Sequence, residues 1–185
     1  MEKKSLYNLT KGTPFEKMID TLAAGEAKGA GMYYALARLA REQGLDDVAE
    51  KLTEAANQEA NHSGFFAVLN GKYPQDFWAL LRGLQAAETG GEGNFMKFAE
   101  QLRAAGLDVV ADELEVFAKQ EGGHGKLLKQ ILEENGKYVE KPDGDVYVCG
   151  VCGFEYVGDL DAEPDDYVCP LCGMPKKVFR KKETE

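Results

Sequence analysis

Laid over itself at an offset of 62 residues, the sequence says one thing twice: "EAKGAGMYYALARLAREQGLDDVAEKLTEAANQEANH" (26–62) pairs without a gap with "ETGGEGNFMKFAEQLRAAGLDVVADELEVFAKQEGGH" (88–124). Glu26 falls on Glu88, Arg41 on Arg103, Gly44-Leu45-Asp46 on Gly106-Leu107-Asp108, Glu59 on Glu121 and His62 on His124. Two copies make a duplicated unit and not a solenoid array. Each copy has the marks of a helical hairpin. Thr13-Pro14-Phe15-Glu16 offers a capping box with Pro at the first helical position. Gly44 and Gly106 stand where a left-handed C-terminal cap is expected, each followed by an Asp that can start the next helix. The spacing predicts helices near 14–43, 46–70, 77–105 and 108–135, with Leu52, Ala55 and Ala56 and their counterparts Leu114, Phe117 and Ala118 facing a core. Two duplicated hairpins make a mainly α fold, a four-helix bundle spanning residues 1–136.

Glu59-x-x-His62 and Glu121-x-x-His124 put a carboxylate and an imidazole three residues apart on one helix face, where the side chains converge. An isolated Glu-x-x-His is common by chance. Here both histidines of the chain occupy equivalent places, with Glu at the same two offsets. Carboxylate oxygen and imidazole nitrogen suit iron or manganese, and Glu26 and Glu88 from the two other helices complete a two-metal set of four carboxylates and two histidines. Four negative charges balance two divalent ions, which lets the set sit in a bundle core where uncompensated carboxylates are very costly.

After Gly136 the pattern changes to a Pro/Gly/Asp linker (137–145), then to short aromatic and β-branched runs. There "YVCGVCGFEY" and "YVCPLCGMPKKVF" supply Cys149-x-x-Cys152-Gly and Cys169-x-x-Cys172-Gly. Two such knuckles give a tetrahedral four-sulfur site that geometry alone allows to be zinc, as in a structural ribbon, or iron. Gly153 and Gly173 allow the tight turn that points backbone N–H groups at sulfur.

Lys and Arg total 22 against 32 Asp and Glu, six of the deficit falling in residues 1–136 and four in 137–185. That acidity argues against nucleic acid, and the basic run at 176–182 is a solvated end. The start lacks the apolar core of a signal peptide, and no apolar run approaches the ~18 residues of a membrane span. A cytoplasmic protein with no membrane partner is expected, where paired cysteines bind metal more often than they form disulfides.

The flanks of the knuckles carry a resemblance. Residues 146–182, with Cys-Pro at 169–170, Tyr147 and Tyr167 ahead of the knuckles and Phe179 closing the core, resemble a rubredoxin. Residues 13–135 resemble a ferritin-like di-iron bundle, and this order of domains is similar to rubrerythrin, with all four Cys, both His and four placed Glu in agreement. The resemblance implies a peroxidase of oxidative-stress defence. Its di-iron centre, held by Glu26, Glu59, His62, Glu88, Glu121 and His124, gives two electrons to hydrogen peroxide. A one-iron centre on Cys149, Cys152, Cys169 and Cys172 relays replacements from an external NAD(P)H-dependent reductase. The competing readings are a ferroxidase or iron-handling protein that uses dioxygen, and a binding protein with zinc in both sites. In one place the chain departs from the pattern. Rubrerythrins usually carry a further Glu three residues after the first on the third helix, where this chain has Gly91. Glu92 follows it, about 100° further round the helix.

Two features remain. Gly122 and Gly123 between Glu121 and His124 each cost a helix about 1 kcal/mol relative to Ala; they are either drift tolerated on a metal-stabilised surface or a thin patch on which the rubredoxin-like domain of the same or another subunit docks. "DFWALLRGLQ" has helical spacing from Phe77, which leaves only "GKYPQ" to connect helices two and three, a reach of about 17 Å against a helix of about 37 Å. Either 76–83 is a separate short helix interrupted at Gly83, or the protein is a homodimer in which each bundle takes its hairpins from different chains.

Overall fold

Four long helices, α1 (Glu16–Glu42), α2 (Asp46–Leu69), α3 (Phe77–Ala104) and α4 (Asp108–Glu134), precede a three-stranded sheet in a mainly α fold. The computed structural model describes residues 4–140 and 143–183, so Lys141 and Pro142 of the expected linker and Met1–Lys3 lie outside the described residues. Helix ends follow from local chemistry. After α1 the Gly44 N–H donates to the Arg41 carbonyl and the Leu45 N–H to that of Ala40, and after α3 Gly106 and Leu107 bond Arg103 and Leu102 in the same way. This is a Schellman cap, and it needs a left-handed residue: Gly44 has φ +73° and Gly106 φ +79°. Asp46 and Asp108 lie inside the first turn and complement the helix dipole, while Leu45 and Leu107 hold the cap positions. The expected capping box is not formed: α1 starts at Glu16 with Phe15 at the cap position and no side-chain cap, so Pro14 precedes the helix, and the Glu16 carboxylate accepts from the Gly12 N–H (2.7 Å).

The chain divides into two compact units, Met1–Gln75 and Asp76–Glu185. In the first, α1 pairs with α2. Ala23, Ala30 and Ala37 on α1 and Ala49 and Ala56 on α2 are buried at seven-residue intervals, the spacing that keeps one seam facing a partner helix. Ser63 continues the α2 row and donates to the Ala23 carbonyl (2.9 Å). Asn70 follows one heptad on, buried, giving its amide to Glu16 O and Asp20 Oδ1 (both 2.8 Å) and accepting from the Thr10 hydroxyl.

In the second unit α3 pairs with α4, and the α4 row Ala111, Ala118, Gly125 and Leu132 is buried at the same interval. Arg103 ties the hairpin turn, donating to Asp108 (3.4 Å), Asp112 (2.8 Å) and Glu115 (2.6 Å). Of the residues expected to face the core, Ala56 and Ala118 are fully buried, whereas Phe117 is 39% exposed. The sheet has order β2-β1-β3, with β1 (Val146–Cys149) antiparallel to both β2 (Glu155–Val157) and β3 (Phe179–Lys181). Phe154, Leu160 and Phe179 fill its core, with Tyr147, Tyr156 and Tyr167 packed around them. The connector from α2 to α3 is residues 70–76, and α3 runs on through Gly83 without a break. The separate short helix at 76–83 is therefore not formed.

Candidate metal centre

Each hairpin gathers one Glu/Glu/His group. Glu26 on α1 meets Glu59 and His62 on α2, and Glu88 on α3 meets Glu121 and His124 on α4, every ligand atom of a group lying within 4.8 Å of the others. His62 Nδ1 lies 3.5 Å from Glu26 Oε2 and 3.6 Å from Glu59 Oε2, and His124 Nδ1 lies 3.2 Å from Glu88 Oε2. The imidazole nitrogen and the carboxylate oxygens thus turn toward one point in each group. Carboxylates brought together resist ionisation. Hydrogen bonding to Glu26, with burial adding to it, raises Glu59 above its ordinary value, and burial followed by hydrogen bonding to Glu88 does the same to Glu121. A divalent cation relieves that repulsion.

The second copy follows the first closely. Gly29 stands three residues after Glu26, as Gly91 stands three after Glu88. A Cβ on Gly29 would lie 3.7 Å from the Glu59 carboxyl carbon, and one on Gly91 3.2 Å from Glu121 Oε2. Both glycines make room for the Glu of the Glu-x-x-His pair. Sequence reasoning singled out Gly91 and missed Gly29, although the offset of 62 pairs them. Glu92 is not part of the Glu88, Glu121 and His124 group, and its carboxylate fills the space beside Gly122 on α4.

The third group is Cys149, Cys152, Cys169 and Cys172. Cys149 Sγ to Cys172 Sγ is 3.7 Å and Cys152 Sγ to Cys169 Sγ 3.6 Å. These separations are far too long for disulfides and match the ~3.8 Å edge of a tetrahedron with metal–sulfur bonds of ~2.3 Å. Gly153 (φ +78°) and Gly173 (φ +71°) close the two knuckles. Burial alone would push the Cys149 thiol up, but backbone N–H groups of Cys152 and Val151 outweigh it and lower the thiol's pKa. Burial raises Cys152, and raises Cys169 to about 11. A bound cation would offset that cost at Cys152 and Cys169 by favouring their thiolate forms.

Within the chain, the four-cysteine module packs elsewhere than at the expected glycine patch. Gly123 has open space around it, and the Cβ position of Gly122 is occupied by Glu92. β2 packs instead on α3, where the Phe154 ring enters a notch at Gly83 and Gly153 lies against Ala87. Neither Gly83 nor Phe154 carried a sequence signal beyond a glycine in a helix and an aromatic after a knuckle.

Two Glu/Glu/His groups on duplicated helical hairpins, followed by a four-thiolate module on a small sheet, define a ferritin-like di-iron carboxylate protein with a rubredoxin-like end. The donor sets fit a di-iron centre and a rubredoxin-type iron. The rubrerythrin family model matches residues 18–77. An uncharacterized protein of Methanocaldococcus jannaschii is 33% identical over 125 residues, 68% of this chain and 89% of the relative. Rubrerythrin of Porphyromonas gingivalis is 26% identical, covering 100% of this chain and 98% of the relative, and rubrerythrin of Clostridium perfringens is 28% identical, covering 94% and 97%. These likenesses mark the chain as a rubrerythrin-type protein. Among the described residues, no helix is long and apolar enough to cross a membrane.

Proposed function

We propose that this protein is a non-haem di-iron peroxidase that reduces hydrogen peroxide to water. The observation that carries the reading is the pairing of two equivalent Glu/Glu/His groups with a four-thiolate module packed on α3, the helix that bears Glu88. In this reading Glu26, Glu59, His62, Glu88, Glu121 and His124 hold the two irons, and Cys149, Cys152, Cys169 and Cys172 hold the third. When bound, the paired irons supply two electrons at one place, and the overall reaction is H2O2 + 2 e− + 2 H+ → 2 H2O. An NAD(P)H-dependent reductase in the cytoplasm replaces those electrons one at a time through the four-thiolate iron. The functional divisions are a di-iron bundle over 1–136, a linker over 137–145 and a rubredoxin-like domain over 146–185.

The working form is a homodimer that exchanges hairpins. Seven connecting residues span at most about 25 Å, whereas α2, with 24 residues, is about 36 Å long. A chain cannot lead back along its own α2 on such a connector to start a parallel α3. Each hairpin also exposes apolar side chains, among them Met32, Leu36 and Leu39 on α1 and Phe98 and Leu127 on α3 and α4, that a second copy would cover.

The test is anaerobic reduction of the iron-loaded protein followed by mixing with peroxide or with dioxygen, watching reoxidation. Faster reaction with peroxide is expected. Faster reaction with dioxygen would instead establish the ferroxidase reading, in which iron is partly a substrate.

A further inference from the structure

We infer that Gly83 is the positioning residue that seats the four-cysteine module on α3 of its own chain, holding the Cys152 knuckle beside the Glu88–Glu121 half-site. The contact is made by backbone and ring with no room to spare. Gly83 is buried, and a Cβ on it would lie 2.6 Å from the Glu155 carbonyl oxygen and closer still to the Phe154 ring. One turn further along α3, Ala87 packs in the same buried cluster as Phe154, with Leu80 beside it on the same helix face. Gly153 approaches so closely that a Cβ there would lie 3.6 Å from the Ala87 Cα. The next residue on α3 is the half-site carboxylate Glu88. The docking face and the metal face of this helix are therefore one residue apart.

The geometry beyond the contact shows what the seat accomplishes. An open cavity of about 520 Å³ is lined by Glu88 and Glu121 from the half-site and by Cys152, Val151 and Leu171 from the two knuckles, with Phe95 and Phe98 between. Cys152 and Cys172 are partly exposed, whereas Cys149 and Cys169 are buried. Of the two partly exposed cysteines, Cys152 is the one that shares the cavity with the half-site carboxylates. The repeat supplies an internal comparison: the offset of 62 puts Thr21 opposite Gly83 and Gly25 opposite Ala87. Thr21 is exposed and its hydroxyl donates to the carbonyl of Lys17, and Gly25 has open space around it among the described residues. The seat belongs to the second hairpin.

The inference rests on the peroxidase reading for its rate measurement only. Gly83→Leu and Gly83→Ala proteins, loaded with iron, are compared with the natural protein by hydrogen exchange and by stopped-flow reoxidation. Ala is the better helix former at this position, so lost docking in Gly83→Ala does not report a weakened α3. Expected in both variants are unchanged iron content and thiolate colour, faster amide exchange over 80–88 and 150–156, and reoxidation of the four-thiolate iron slowed roughly tenfold or more. Trimming the ring in Gly83→Ala/Phe154→Leu should recover part of both losses. Amide protection like that of the natural protein in Gly83→Leu would overturn the seat. Faster exchange with an unchanged reoxidation rate would overturn its role in electron delivery. A natural protein unreactive toward peroxide would refute the peroxidase reading, while exchange would still decide the docking.

Discussion

The side chain of Glu92 on α3 occupies the space that a side chain at residue 122 on α4 would need: a Cβ on Gly122 would lie 2.6 Å from the Glu92 carboxyl carbon. At the equivalent places in the first hairpin the chain has Ala30 and Ala60. One hairpin thus uses two medium residues where the other uses a large one and none. Gly122→Ala is expected to gain less than the ~1 kcal/mol of helix propensity, because the flexible end of Glu92 must move aside. Glu92→Ala with Gly122→Ala reproduces the first hairpin's pair and should recover that gain in full. Urea melts of the two single variants and the double variant check this; additive effects would contradict the steric coupling.

Equivalence of the half-sites sets a second expectation. His62→Ala and His124→Ala should each lower iron bound at the carboxylate centre by a comparable amount and leave the thiolate colour unchanged, read by metal analysis and visible absorbance. Loss of colour in either variant would show that the two centres are not separate.

Arg41 and Arg103 are also equivalent in the repeat but not in partners. Arg103 holds three carboxylates, and Arg41 donates to the Thr53 hydroxyl (3.2 Å). Arg103→Ala should lower the melting temperature by more than Arg41→Ala does. The difference should shrink in 1 M salt, because screening acts on the ion pairs and not on the hydroxyl bond. Thermal melts at two salt concentrations measure it.

Burial pushes Tyr167 up to about 12 and also raises Tyr156, which is further held by Glu163. A proton retained longer in the folded state than in the unfolded one contributes stability that is full below pH ~10 and is lost as pH rises past it. In a titration followed at the phenolate band, two of the eight tyrosines should therefore ionise late. Removing metal from the four cysteines and unfolding the module should merge them with the rest.

Lengthening the connector tests the exchange of hairpins. Inserting about 12 Gly/Ser residues between Lys72 and Tyr73 adds some 40 Å of reach, more than α2 is long. The longer chain should then close its own bundle and sediment as a monomer at low concentration, while the natural chain sediments as a dimer. A natural chain that is monomeric at all concentrations would refute the exchange.

The sequence made the helices legible because they end in chemistry that has few substitutes. Gly44 and Gly106 can adopt the left-handed cap, so the ends of α1 and α3 fell within a residue of expectation. The ligand groups were legible because the repeat tied Glu and His to fixed offsets on helices. Docking was not legible. It depends on Phe154 from a loop meeting Gly83 from a helix some 70 residues away, and no periodicity encodes such a meeting. The glycines at 122 and 123 looked like the opening for it, yet one serves Glu92 and the other faces open space.

Because each hairpin carries one carboxylate from its first helix and a Glu-x-x-His from its second, two identical hairpins already hold every ligand of the paired site. Wherever the metal makes no demand, the two copies are free to differ. The contrast between Thr21 and Gly83 is such a place: the ligands stay in step, and one copy alone carries a landing for the four-cysteine module.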